Sequence, residues 1–172
     1  VGMARVDNIS QVELEILEVR PDRVVSLIGR THGPGFTTID YLEQKGKLVE
    51  NVKDNLYAPV ALALLCNKHG IHFTYLGTGC CFHYDDDHPL GGAKFTPDDI
   101  PNFTGSAYST VKGYTDLLMR QVPALTCRIR MPLTGDMNGR NFITKITGYK
   151  KVVNIANSMS VLHTLFPVMY DL

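Results

Sequence analysis

Residues 71–79 read Ile71-His-Phe-Thr-Tyr-Leu-Gly-Thr-Gly79, and the fold follows from how this stretch is read. A short, mostly apolar run follows Gly70 and ends in a Gly-Thr-Gly turn. It has the length of a strand and no helical period. Strands of this kind, apolar on both faces, occur in parallel sheets covered on both sides. The flanks agree. Upstream, residues 50–69 form a long helical pattern closed by Gly70, and residues 23–28 (RVVSLI) form a second buried strand followed by a Gly/Pro-rich loop. Downstream, residues 82–103 are loop-like, residues 106–121 are helical, and residues 125–130 form a third strand stopped by Met131-Pro132. Further out, Ile9, Val12, Ile16 and Val19 mark a helix over 8–19. A short helix over 141–147, a short strand over 152–155 and a helix over 158–170 complete the expected elements. Strand alternating with helix predicts a doubly wound α/β fold with a parallel sheet. Ligands of such folds sit at the carboxyl ends of the strands. Those ends carry Ile28-Gly29-Arg30, Gly77-Thr78-Gly79 and Arg130-Met131-Pro132.

The chain has 172 residues, enough for one domain with a real core. Seventeen basic residues balance seventeen acidic ones, so charge gives no reason to expect nucleic acid or an anionic membrane as partner. No apolar run reaches the roughly 18 residues of a membrane span, and nothing resembles a signal peptide. The four cysteines, Cys66, Cys80, Cys81 and Cys127, are not spaced as a zinc site. They read as reduced thiols of a cytoplasmic protein.

Tyr108-Ser-Thr-Val-Lys112 places a phenol and an ammonium four residues apart on one helix face. A nearby ammonium favours the phenolate and lowers the tyrosine pKa, which makes it a usable proton donor when a ketone is reduced. The motif alone is common in helices. Its position adds weight, because it opens the helix after a long polar loop and Thr78 lies just past a strand end. His83-Tyr-Asp-Asp-Asp-His88 has residue types that bind zinc or manganese, but a solvated acidic loop is the reading preferred, with no metal. His32 reads as a loop histidine.

Beyond single motifs, GTGCCFHYDDDHPLGG (77–92), PNFTGSAYSTVKG (101–113), RIRMP (128–132), RNFITKI (140–146) and VVNIANSMSVL (152–162) resemble the nucleotide-rhamnose synthases. These are bifunctional 3,5-epimerase/4-reductases of UDP- or dTDP-4-keto-6-deoxyglucose. They are similar to the dTDP-4-dehydrorhamnose reductases of the extended short-chain dehydrogenase/reductase family. The resemblance implies a Rossmann-like sheet, an NADPH cofactor (NADH being possible) and a nucleotide-sugar substrate. It implies Thr78, Tyr108 and Lys112 as the reductase triad, with Asn55 supporting the lysine through water. It makes Cys80 and Lys145 the epimerase acid/base pair; without it, Cys80 reads as a packing cysteine and Lys145 as a surface lysine. On the cofactor side it implies Gly29 and Arg30 under the adenine-side ribose and Pro132 beside the nicotinamide. Arg5 faces the 2′-phosphate or is an exposed arginine of the terminus. On the substrate side it implies Asn141 at the diphosphate and Arg140 there or in solvent, with Phe82 and Thr104 nearby.

The family begins with a strand and a GxxGxxG turn that cradles the pyrophosphate. That turn is absent from these 172 residues. The expected organisation is a partial nucleotide-binding domain over 1–135, incomplete at its N-terminus, and the start of a small substrate-binding lobe over 136–172. The chain reads as the middle of a longer protein. The alternative is a genuinely short product whose sheet a partner completes. Three functions remain open: the epimerase/reductase, a reductase without epimerase activity, and a non-catalytic structural or regulatory subunit. A homodimer pairing the helix of Tyr114, Leu117 and Leu118 is expected by analogy.

Overall fold

A computed structural model describes residues 1–139 and 141–172. Three strands, β1 (Arg23–Ser26), β2 (His72–Thr78) and β3 (Ala124–Ile129), form one parallel sheet in the order β1-β2-β3. Val24 stands opposite Phe73, and Phe73 opposite Ala124, so these three side chains share a face. On that face lie the helices α1 (Ile9–Val19), α3 (Ala58–Lys68) and α4 (Ala107–Met119). Val12 and Ile16 of α1, Leu62, Ala63, Leu65 and Cys66 of α3, Phe73 and Tyr75 of β2, and Met119 of α4 make one buried cluster.

Each helix has a local cause. Asn8 caps α1 by accepting from the Gln11 amide, and Arg20 ends it in a left-handed conformation just before Pro21. Ser106 caps α4 by accepting from the Ser109 amide. The expected helix over 50–69 is one helical run with an interruption. It begins as α2 (Leu48–Val52), widens into a π turn at Lys53–Tyr57, and continues as α3. The π turn carries Asn55, which is fully buried. Such turns often mark functional positions.

Two expectations are corrected beyond β3. Residues 152–155 form no strand among the described residues, and Val152, Val153 and Ile155 are exposed. Their apolar alternation suits a strand, but no ladder partner meets them. Instead, residues 160–162 run beside 130–133: Ser160 donates to the Arg130 carbonyl, Leu133 to that of Ser160, and Leu162 to that of Leu133. The last helix, α6 (Leu162–Asp171), therefore starts later than 158. It follows α5 (Phe142–Ile146) in the chain.

The last helix touches both ends of the sheet order. It starts beside Leu133, past the carboxyl end of β3, and its end meets β1, where Arg23 donates to the Tyr170 carbonyl at 3.2 Å. Its Met169 is buried. The result is the expected α/β architecture, with an open three-stranded parallel sheet. Among the described residues, no helix is long and apolar enough to cross a membrane.

Candidate active site

The site forms at the carboxyl end of β2. Thr78 closes that strand, and its hydroxyl accepts from the Cys80 amide at 3.1 Å. Tyr108, in the first turn of α4, lies beside Thr78 and packs with Tyr41 and Leu42, Cys80 lying against the same cluster. The structure thus brings Thr78, Cys80 and Tyr108 together. A cavity of about 410 Å³ opens beside Cys80, lined by Ile39, Phe82, Phe103, Ser106, Ser109 and Arg130 among others. Phe82 therefore reaches the site. Thr104 lies exposed near the start of α4, where its carbonyl accepts from the Thr110 hydroxyl.

Lys112 lies one helical turn from Tyr108 and is buried. Here an expectation from the spacing fails. The Lys112 ammonium does not turn to Tyr108; it donates to the hydroxyl of Tyr75 on β2. The two side chains share a face of α4, but Tyr108 reaches Thr78 at the strand end while Lys112 reaches down onto the sheet. Burial accordingly pushes the Tyr108 phenol above its ordinary value, opposed by the Thr78 side chain beside it. Burial also pulls Lys112 down to about 8.

Asn55 and Gly29 flank the lysine. A Cβ on Gly29 would stand 3.1 Å from Asn55 Oδ1 and 3.9 Å from Lys112 Nζ, so a side chain there would crowd Asn55 in the loop after β1. Asn55 accepts from the Arg30 amide and donates to the Arg30 carbonyl and to Asn51, while its own carbonyl accepts from Thr115. It fixes the loop after β1, and the lysine's direct partner is Tyr75. The Arg30 guanidinium pairs with Asp54, within reach of Glu50. Arg5 is exposed and pairs with Asp7, which also takes Lys53.

Beyond β3, Met131 adopts a left-handed conformation with φ 42° and turns the chain into exposed Pro132. Asn141 caps α5 by accepting from the Ile143 amide and donates to the carbonyls of Thr134 and Asp136. Its carboxamide thus organises the turn that precedes α5. Lys145 sits half-buried in the last turn of α5. Arg140 lies outside the described residues. Among those described, no group of three or more His, Cys, Asp and Glu is arranged to hold a metal ion. His88 of the acidic loop is held instead by Asp85 and Asp99 and stacks on Phe95.

Two contributors escaped sequence reading. The Glu43 carboxylate accepts from the amides of Ala107 and Tyr108 at 2.8 and 3.0 Å and so holds the start of the helix that bears the tyrosine. Across 65 residues no local pattern announces this. Tyr75 had a signal: it is a polar aromatic at a core-facing register of β2, where a hydroxyl needs a partner.

A three-stranded parallel sheet with a strand-end threonine and a helix bearing Tyr108 and Lys112 has the architecture of a Rossmann-like domain. No protein-family model matches the chain. Individual relatives do. The chain is 56% identical over 173 residues to the L780 protein of Acanthamoeba polyphaga mimivirus, matching 99% of this chain and 60% of that one. The crystal structure of L780, named a UDP-rhamnose synthase, aligns with a TM-score of 0.91. The bifunctional dTDP-4-dehydrorhamnose 3,5-epimerase/dTDP-4-dehydrorhamnose reductase of Arabidopsis thaliana is 38% identical over 174 residues, which are 99% of this chain and 56% of that enzyme. A dTDP-4-dehydrorhamnose reductase from Clostridium acetobutylicum shares the fold at 22% identity and a TM-score of 0.60, over 83% of this chain and 45% of its own. The chain is therefore homologous to the nucleotide-rhamnose synthases and their epimerase/reductase relatives, of which it spans about 60% or less.

Proposed function

We propose that this chain carries the catalytic centre of an NADPH-dependent 3,5-epimerase/4-reductase that makes an activated L-rhamnose from a UDP- or dTDP-4-keto-6-deoxy sugar. The observation that carries the reading is the placement of Tyr108 beside Thr78, with Cys80 against the same cluster and lining a cavity. In this reading Thr78 and Tyr108 both donate to the C4 carbonyl oxygen, and Tyr108 gives up its proton as that oxygen gains charge. The buried Lys112 ammonium supplies positive charge behind the tyrosine. Cys80 and Lys145 act as acid and base on the protons next to the ketone, at C3 and C5.

The bare backbone of Gly29 against Lys112 and Asn55, at strand ends, fits the nicotinamide-ribose half of a dinucleotide. Gly29, Tyr108, Lys112 and Pro132 would hold that half, with Arg30 and Arg5 toward the adenine side. A nicotinamide, when bound, supplies the hydride. Asn141 and Arg140 would face the nucleotide diphosphate, with Phe82 and Thr104 by the sugar. Four free cysteines support a cytoplasmic, reducing setting. Exposed Tyr57, Leu64, Tyr114 and Leu118 on the touching helices α3 and α4 and the π turn support a homodimer.

The test is Tyr108→Phe in the full-length protein. Keto-sugar reduction should fall by about 100-fold or more. Reduction at the parent rate would refute the reading.

A further inference from the structure

Lys112 is a buried cation without a carboxylate to itself. The groups that face it are Tyr75 from β2, Cys80 and Cys81 from the loop after β2, Asn55 from the π turn, and Asp116 from its own helix. Asp116, one turn away, is occupied. Its two oxygens accept from Arg128 at 2.8 and 2.7 Å, and Arg120 lies 3.7 Å off. Asn55 is taken up by Arg30, Asn51 and Thr115. What meets the Lys112 nitrogen is the Tyr75 hydroxyl, and the nitrogen lies 4.8 Å from the centre of the same ring. Tyr75 is 1% exposed, so water does not compete for that hydroxyl from the surface.

A phenol is suited to this place in a way a carboxylate is not. It accepts a hydrogen bond from an ammonium and donates one to a neutral amine. Burial pushes the Tyr75 phenol well above its ordinary value, so it stays un-ionised while Lys112 titrates near 8. The partner therefore remains bonded whichever form the lysine takes. A carboxylate there would lock the ammonium and leave a buried charge once the lysine lost its proton.

We propose that Tyr75 is a positioning residue for the Tyr108/Lys112 pair: its buried hydroxyl holds the Lys112 nitrogen in both charge states and keeps the ammonium form at the site. The consequence for turnover rests on the reductase reading above; the contact and its titration do not.

The test uses the full 172-residue chain with ¹³Cε-labelled lysine, followed by NMR against pH. The parent Lys112 should titrate near 8. Tyr75→Phe removes one oxygen and keeps the ring, so Lys112 loses its hydrogen bond while the ammonium stays buried. Its midpoint should fall by about one pH unit, the difference between a hydrogen bond to the ammonium and one to the neutral amine. Tyr108→Phe should leave it in place. An unmoved midpoint in Tyr75→Phe, or equal movement in both variants, overturns the proposal. A second measurement needs no variant. With ¹³Cζ-labelled tyrosine, one resonance should move at the Lys112 midpoint, well below the value of about 10 at which free phenols titrate. If none moves there, the proposal is also overturned. In turnover, the ammonium is lost as pH rises through the lysine's midpoint, so the high-pH limb of keto-sugar reduction should move to lower pH in Tyr75→Phe. If the full-length parent protein shows no reduction under any condition, the reductase reading fails, and the NMR titration still decides the role of Tyr75.

Discussion

Cys80 and Cys81 are chemically identical neighbours in opposite surroundings. Cys81 is fully buried, its thiol donates to the Thr78 carbonyl, and burial pushes it up to about 11. It packs: a Cβ on Gly113 of α4 would stand 3.8 Å from that of Cys81, so helix and loop touch there. Cys80 is half-buried and lines the cavity by Tyr108. Sequence alone leaves Cys80 between packing and chemistry; the structure buries Cys81 fully and leaves Cys80 half-buried, against Tyr41, Leu42 and Tyr108. Under the epimerase reading, Cys80→Ala should cut solvent-deuterium incorporation at C3 and C5 by about 100-fold or more with the fold unchanged. Mass spectrometry of product formed in D₂O reads this directly, and full incorporation would remove Cys80 from the role. A reductase without epimerase activity would incorporate no deuterium even in the parent.

At the scale of elements, α4 shows what a sequence can and cannot announce. Its Ser106 cap and its apolar spacing are legible, because both act within a few residues. Its second cap, Glu43, is not, since the chain must fold to bring it there. A carboxylate on two N-terminal amides also suits the helix dipole. Glu43→Ala should destabilise the protein by about 1 kcal/mol in urea unfolding, and Glu43→Gln by less, because an amide oxygen still accepts but carries no charge. Loosening the first turn of α4 should lower kcat more than it changes KM, since the Tyr108 amide is one of the two held. The π turn was invisible for a related reason: its extra residue leaves the apolar pattern of 50–69 intact, and only the fit of Asn55 against the Arg30 backbone reveals it. The missing strand at 152–155 is the converse case, a favourable local pattern that tertiary pairing did not use.

Over the whole molecule, the order of strands and helices was legible because parallel strands advertise burial on both faces. The ties between distant segments were not. The clearest is the ion pair of Asp116 and Arg128, whose side chains are 5% and 16% exposed. Arg128 also accepts Phe82 beneath its guanidinium and donates to the carbonyls of Thr96, Pro97 and Asp99, joined by Arg120 on the carbonyls of residues 97–99. Two arginines thus fasten the long loop to α4 and β3. Arg128→Met should cost about 3 kcal/mol in urea unfolding, because it leaves the buried Asp116 carboxylate only Arg120, 3.7 Å away. Amide exchange across residues 96–99 should rise with it. The double change with Asp116→Leu should recover much of the loss.

The path of α6 has a consequence for the order of assembly. The Arg23–Tyr170 contact joins residues 147 apart, while the cluster of α1, α3, β2 and α4 is complete by Met119. As the chain leaves the ribosome, that side of the sheet can consolidate well before α6 has been made. For that interval Val25, Leu76 and Cys127, which alternate away from the finished core, lie on an apolar face of the sheet. The pace at which residues 120–171 emerge thus sets how long this part of a nascent chain is exposed to sticking to its neighbours.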